Sequence, residues 1–211
     1  MSRQYPEVRT TNAVIFAKKG KCKRGWKTYG NSCYKLFKGK QSYDGATAEC
    51  EKLKAHLTRI EDKQENNFIS KMKKRKAAWI GLHYEETDED FHWFDCPERI
   101  HYSNWKKGEV NRKDGQNCAV MLRKGVWKPE KCGTKRRYVC EKTMKGPVTK
   151  RCNSLDFQPK ECRTTSDIRD ICLVKQFSES ECAWDKTYNI SESHESMHVY
   201  DGCRGKFDLY F

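Results

Sequence analysis

No apolar run in these 211 residues approaches the ~18 needed to cross a bilayer, so no membrane-spanning helix is expected. The stretch Ala13 to Ala17 is too short even for a signal-peptide core; a secreted form is expected to have had its signal removed. No pair of cysteines has the tight C-x-x-C spacing that zinc ribbons favour. Acid is scarce in one region: residues 22 to 142 hold 28 Lys and Arg against 17 Asp and Glu. No set of Ser, Cys, His and carboxylates suggests catalysis, apart from one motif near the C-terminus weighed below.

Twelve cysteines are present. An even, dense set points to an oxidising compartment and a disulfide framework, so the expected localisation is secreted, extracellular. Asn189-Ile190-Ser191 is an N-glycosylation sequon, which agrees with secretion. The formal charge of +14 is uneven, because residues 152 to 211 reverse the sign with 7 basic against 11 acidic residues. A basic body with an acidic tail suggests either an anionic partner for the body or attraction between the two parts.

Four segments follow from these shifts. Residues 1–21 read as an N-terminal arm or leading strand, 22–142 as a first domain, 143–151 as a short basic linker, and 152–211 as a small cysteine-rich β domain. Tyr43, Ala46, Cys50 and Leu53 recur at helical spacing. Asp62 followed by Glu65 opens a second helix of the capping-box type, with Phe68, Ile69 and Met72 on one face. That helix runs into Lys71 to Lys76, where cations suit the negative end of the helix dipole. Ala77 to Leu82 reads as a buried strand, 83 to 117 as long loops with short strands, and Val120 to Leu122 and Arg137 to Glu141 as strands. Helices first and strands after give an α+β domain. In the tail, Ile171 to Ser178 and Met197 to Tyr200 read as strands and Asp201-Gly202 as a turn. So small a unit needs cross-links to fold.

The order Cys22, Gly25-Trp26, Ser32-Cys33-Tyr34, Cys50, Trp79-Ile80-Gly81-Leu82, Asn104-Trp105, Gly108-Glu109, Cys118-Ala119, Gly125-Val126-Trp127, Cys132 and Tyr138-Val139-Cys140-Glu141 resembles a C-type lectin-like domain. The resemblance implies two helices, short antiparallel strands and a long loop that carries the ligand site. It also implies the disulfides Cys22–Cys33, Cys50–Cys140 and Cys118–Cys132. Closing the span from Cys50 to Cys140 is expected to contribute roughly 4–5 kcal/mol in the loop-entropy model. Residues 152–211 resemble a small uncharacterised cysteine-rich β module of secreted proteins. This leaves Cys96 and Cys172 over, either to bridge the two domains or to link two chains.

The sugar-binding members hold calcium with a Glu-Pro-Asn or Gln-Pro-Asp triplet, a Glu before a cysteine, and Asn-Asp after a tryptophan. Calcium takes six to eight hard oxygen ligands. Here Glu109-Val110-Asn111 lacks the proline, Gln116 replaces the Glu, and Lys128-Pro129 replaces Asn-Asp. A cis peptide without proline costs about 2.5–4 kcal/mol, so Val110 is expected to be trans and to re-aim the loop. The Lys128 ammonium is expected near Glu109, in the place of the metal charge. No metal is therefore expected; the opposing reading is a degenerate calcium site of Glu109, Asn111, Asp114 and Gln116. Trp79, Trp105 and Trp127 read as core, while Phe91 and Trp93 are candidates to stack on a sugar face. The binding set is completed by cations around the expected face: Lys106, Lys107, Arg112, Lys113, Arg123, Lys124 and Lys128. Lys71 to Lys76 and Lys135 to Arg137 form further clusters. Such groups suit sulfate or carboxylate on polysaccharides, on lipopolysaccharide or other microbial surfaces, or on acidic matrix proteins. Nucleic acid satisfies the same charges and is expected only as an incidental partner.

His194-Glu195-Ser196-Met197-His198 matches H-E-x-x-H, which on a helix builds a zinc protease site. Its strand-like surroundings and place near the C-terminus oppose that chemistry. The expectation is a secreted, non-enzymatic lectin-like protein that binds anionic or surface carbohydrate without the usual calcium site. The alternatives are an extracellular matrix or adhesive protein acting through protein or mineral contacts, including a disulfide-linked oligomer, and a degenerate calcium-dependent lectin.

Overall fold

The computed structural model describes residues 22–86, 89–94, 96, 100–108, 115–144, 146–165 and 167–210; the expected N-terminal arm lies outside them. In chain order the elements are β1 (Lys27–Tyr29), β2 (Ser32–Gln41), α1 (Tyr43–Glu51), β3 (His56–Leu57), α2 (Lys63–Lys73), β4 (Ala78–Glu85), β5 (Asp90–Trp93), β6 (Cys118–Met121), a 3-10 turn (Arg123–Gly125), β7 (Trp127–Glu130) and β8 (Arg136–Thr143). Then come β9 (Val148–Asn153), β10 (Lys160–Arg163), β11 (Asp170–Gln176), β12 (Tyr188–Ile190), β13 (Ser196–Val199) and β14 (Arg204–Tyr210). The first eight strands form one sheet in the order β1-β2-β8-β4-β6-β7, with β3 beside β8 and β5 beside β4. The last six form two small sheets, β10-β13-β12 and β11-β14-β9. The fold is α+β followed by a disulfide-rich β region.

Both helices start on side-chain caps. Ser42 Oγ accepts from the Gly45 N–H at 3.2 Å, and α1 buries Tyr43, Ala46 and Cys50. Leu53 was expected on that face, but α1 ends at Glu51 and Leu53 is exposed beyond it. Asp62 Oδ1 accepts from Glu65 N–H at 2.7 Å. Glu65 Oε2 answers by accepting from Glu61 N–H at 3.0 Å, one residue earlier than in the usual capping box. At its other end α2 buries Lys73, whose ammonium donates to the carbonyls of Lys76 (3.1 Å) and Leu122 (2.6 Å).

Trp79 and Trp127 are fully buried. The expectation that Phe91 and Trp93 offer a stacking surface is corrected: each is 3% exposed. They belong to β5, which pairs with β4, and Trp93 meets Trp127 edge-on at 5.8 Å while Phe91 packs on Trp105 at 4.8 Å.

All twelve cysteines pair within the chain: Cys22–Cys33, Cys50–Cys140, Cys118–Cys132, Cys152–Cys162, Cys182–Cys203 and Cys96–Cys172. The last bridges the two parts of the chain. A disulfide-linked oligomer is thereby corrected, since no thiol is left to form one. The expected linker 143–151 is largely strand, for β8 runs to Thr143 and β9 begins at Val148. The H-E-x-x-H stretch runs into strand, as expected: β13 covers Ser196–Val199, so the helical i,i+4 face the motif requires does not exist. His194 instead meets the Ile168 carbonyl, and His198 the Tyr200 hydroxyl.

Beside the Cys96–Cys172 bridge, two adjacent side chains tie the parts together through opposite charges. Arg169 reaches Asp62 (2.8 Å), Glu65 (3.1 Å) and Glu61 (3.7 Å), and its guanidinium lies 5.2 Å from the Tyr29 ring. Gly30, at φ +53°, leaves room for it; a Cβ there would stand 2.9 Å from Arg169 Nη1. Asp170 accepts from Arg59 Nη2 and from His101 Nδ1, the latter at 2.6 Å. Burial alone would raise the Asp170 carboxyl, but Arg59 and His101 hold it below its ordinary value. Cys172 and Tyr210 join the aromatic core of the first part, and Arg59 lies 4.0 Å above the Tyr210 ring.

Glu65 is pushed up to about 8 by burial and then by the Glu141 charge. The Tyr34 hydroxyl donates to Glu65 and lies 3.1 Å from Glu141, so the two carboxyls share one donor. Between the ordinary carboxylate range and about 8, the folded chain holds a proton that the unfolded chain has released. This contribution is complete at low pH and is lost as pH rises through about 8, at up to about 1.4 kcal/mol per pH unit. Urea midpoints are therefore expected to fall between pH 5 and 8.5, and Glu65→Gln to flatten that fall. An unchanged slope in the variant would place the pH dependence elsewhere.

Candidate functional site

The segment between β5 and β6 is fixed to the rest of the molecule at several points. Cys96 bonds to Cys172, and the His101 ring stacks on Trp184 with centroids 3.8 Å apart and planes 18° from parallel. The Tyr102 ring meets Trp127 edge-on at 5.7 Å. Further on, residues 104–106 run alongside 125–127. Asn104 Nδ2 donates to the Gly125 carbonyl (2.9 Å), Trp127 N–H to the Asn104 carbonyl (2.8 Å), and Lys106 N–H to the Trp127 carbonyl (2.7 Å). Gly125 sits at φ +80°, and any Cβ there would strike the Asn66 amide at 2.6 Å. That same Asn66 accepts from the Trp127 indole N–H at 2.8 Å, which locks α2 against the tryptophan.

This arrangement places Lys106 and Lys107 next to the start of β7, with Arg123 and Lys124 in the preceding 3-10 turn. Along β7, Trp127 and Pro129 face inward, and Lys128 and Glu130 face outward. The Lys128 ammonium lies 3.3 Å from Glu130, a carboxylate it shares with Arg136 at 2.8 Å. Pro129 contributes no N–H, which suits β7 as a sheet edge, and its ring is buried. Gln116 is half-buried just before β6, beside Asn117, whose amide donates to Glu86 at 3.2 Å. Glu109, Asn111, Arg112, Lys113 and Asp114 lie outside the described residues. Asn189, the sequon residue, is half-buried in β12 opposite His198.

The two positions after Trp127 do not fit calcium, for one carries an ion-paired ammonium and the other no side-chain oxygen. Among the described residues no three His, Cys, Asp or Glu side chains gather into a metal-binding set. What the described face offers is a row of cations on a rigid aromatic floor. Two features escaped the sequence reading. Arg136 joins Lys128 through Glu130, and a two-residue spacing on an edge strand was the available signal for the Lys128–Glu130 pair. The other is the docking of His101 on Trp184 and Asp170; the Cys96–Cys172 bridge beside it is one of the two uses expected of the leftover cysteines.

Residues 39–142 match the family of the lectin C-type domain, and residues 149–210 match a family described as a protein of unknown function (DUF3011). Over 123 residues the chain is 31% identical to the hepatic lectin of Gallus gallus, a match covering 57% of this chain and 59% of that protein. The chain thus spans less than two thirds of that relative's length. The mouse scavenger receptor C-type lectin carbohydrate-recognition domain is 30% identical, with a TM-score of 0.55 over 59% of this chain and 98% of its own. The cow CD23 recognition domain, solved in the presence of a GlcNAc2Man3 oligosaccharide, is 31% identical, with a TM-score of 0.55 over 58% of this chain and 96% of its own. With the landmark tryptophans, the disulfide framework and the sheet order already in place, these matches show that the chain belongs to the C-type lectin family, with a carbohydrate-recognition domain followed by a DUF3011 segment.

Proposed function

We propose that this is an extracellular recognition protein that binds carbohydrate, preferentially anionic, through the face where residues 104–107 run beside 123–128, and that it does so without calcium. The carrying observation is Lys128, ion-paired to Glu130, and the inward Pro129, at the two positions after Trp127 where the family's calcium-binding members place Asn-Asp ligand oxygens. A fixed ammonium repels a divalent cation and attracts sulfate or carboxylate. Lys106, Lys107 and Lys124, all exposed, extend the same charge. The matrix-protein alternative has lost the spare thiols that motivated cross-linking.

A glycan array containing sulfated, carboxylated and neutral sugars separates the readings. It is run with calcium and with chelator, at about 0.15 M salt and near 1 M, where charge is screened within roughly 3 Å. Binding to sulfated or acidic glycans is expected to survive chelator and to disappear at high salt. Chelator-sensitive binding to neutral sugars would overturn the proposal and assign calcium to Glu109 and Asn111.

A further inference from the structure

A second cluster of cations lies at the opposite end of β8 from its junction with the DUF3011 segment. Lys40, Lys76, Ala77, Lys135, Arg136 and Arg137 line a cleft of about 220 Å³. Three strand ends meet there. Gln41 of β2 pairs with Arg136, and Ala78 of β4 pairs with Arg137, so the residues beside them are forced into proximity. Five of the six lining residues are cationic and none is acidic. Glu130 binds Arg136 from the β7 side and is already shared with Lys128. Arg136 Nε is buried without an acceptor among the described residues.

The walls are held by interactions that do not depend on the cations themselves. The Trp79 indole N–H donates to the Gln41 carbonyl at 2.9 Å and pins the Lys40 side. Tyr43 N–H donates to the Cys132 carbonyl at 2.8 Å, and the Cys118–Cys132 bridge fixes the turn that leads to Lys135. The buried Lys73 ammonium ties down the carbonyl of Lys76. Gathering five like charges is unfavourable, and here the fold bears that cost before any partner arrives, so an anion gains the attraction without ordering the site.

We propose that this cleft is a second anion-binding site, distinct in its lining from the face of residues 104–107 and 123–128 but joined to it through the Glu130 shared by Arg136 and Lys128, and that it takes a sulfate or carboxylate group of a polyanionic polysaccharide. Arg and Lys donors suit those oxyanions. No aromatic ring lines the cleft, so the base stacking that single-stranded nucleic acid relies on is missing. No exposed apolar side chain lines it either, which leaves nothing to enter a lipid surface. Six intrachain disulfides place the protein among extracellular polysaccharides rather than nucleic acids.

The test uses the full chain, isothermal titration with a heparin-derived oligosaccharide, and a salt series. Three triple variants remove equal charge: Lys40→Gln/Lys135→Gln/Arg137→Gln in the cleft, Lys106→Gln/Lys107→Gln/Lys124→Gln on the first face, and Lys160→Gln/Lys175→Gln/Lys206→Gln on the DUF3011 segment. Matching thermal midpoints confirm that each folds. The cleft variant is expected to bind at least about tenfold more weakly and to lower the salt slope by about one unit per contact removed, while the DUF3011 variant stays near the parent. Equal losses in the cleft and DUF3011 variants would mean that only net charge matters and would overturn the site. Loss confined to the first-face variant would overturn it too, yet would leave the proposed function standing. Duplex DNA of equal charge binding the parent more tightly than heparin, with loss in the cleft variant, would reassign the cleft to nucleic acid.

Discussion

Arg169→Ala is expected to destabilise the protein by about 3–5 kcal/mol, the range for removing one partner of a buried ion pair. Arg169 is the cation that faces Glu61, Asp62 and Glu65 from the DUF3011 side, and Glu65 is only 1% exposed. Without the guanidinium these carboxylates stay buried beside one another. Glu61 is already raised well above the ordinary range by burial, then by Glu65, and the substitution adds to that repulsion. The deficit must therefore depend on pH in a definite direction. Protonation of Glu65 near or above about 8 removes part of the repulsion, so the variant is expected to recover stability as pH falls from 8.5 to 5. Arg169→Lys keeps a charge but loses the planar fork that serves two carboxylates at once, and is expected to fall between parent and alanine variant. Urea denaturation at pH 5, 7 and 8.5 checks all three. A loss below about 1 kcal/mol, typical of exposed pairs, would show that the network is solvated and does not hold the two parts together.

The network also marks the limit of what the sequence discloses. The helices are legible because their apolar residues recur at helical spacing and because Asp62 stands where a cap belongs; the Ser42 cap of α1 was not read. The first domain is legible because its tryptophans, glycines and cysteines stand in a fixed order. Phe91 and Trp93 were misjudged because an aromatic in a segment without clear period reads equally as platform or core; pairing of β5 with β4 decides for the core. Arg169 and Asp170 give no local signal, since their partners Asp62 and Arg59 lie 107 and 111 positions away. The net charges of the two parts agree with Asp170 on Arg59 but not with Arg169, a cation from the acidic part that enters an acidic pocket of the basic part. At the candidate site, Lys128 and Pro129 stand where the family resemblance implies ligand oxygens, a departure visible in the sequence alone. Lys128 was expected near Glu109, which lies outside the described residues; the pair with Glu130, two residues along the same strand face, was not anticipated.

Replacing both Cys96 and Cys172 by alanine tests what the DUF3011 segment does for the lectin domain. The two residues are 76 positions apart, and the loop-entropy model assigns such a closure about 4–5 kcal/mol. The Arg169 and Asp170 contacts would still favour docking, so the variant is expected to fold. The local consequence should be larger than the global one. Residues 100–106 hang between the Cys96 bridge and the hydrogen bonds to Gly125 and Trp127, with His101 held on Trp184 in between. Cutting the bridge releases one end of that span, and the His101 stack and its bond to Asp170 must then hold it alone. Hydrogen exchange in residues 100–108 is expected to accelerate well beyond that of β4 or β8, while glycan affinity falls because Lys106 and Lys107 are no longer prepositioned. If exchange rises uniformly across the lectin domain, the bridge is a general staple and the DUF3011 segment has no special hold on the recognition face. If exchange rises only in 100–108 and affinity falls with it, the segment acts as a brace for the carbohydrate-recognition loop.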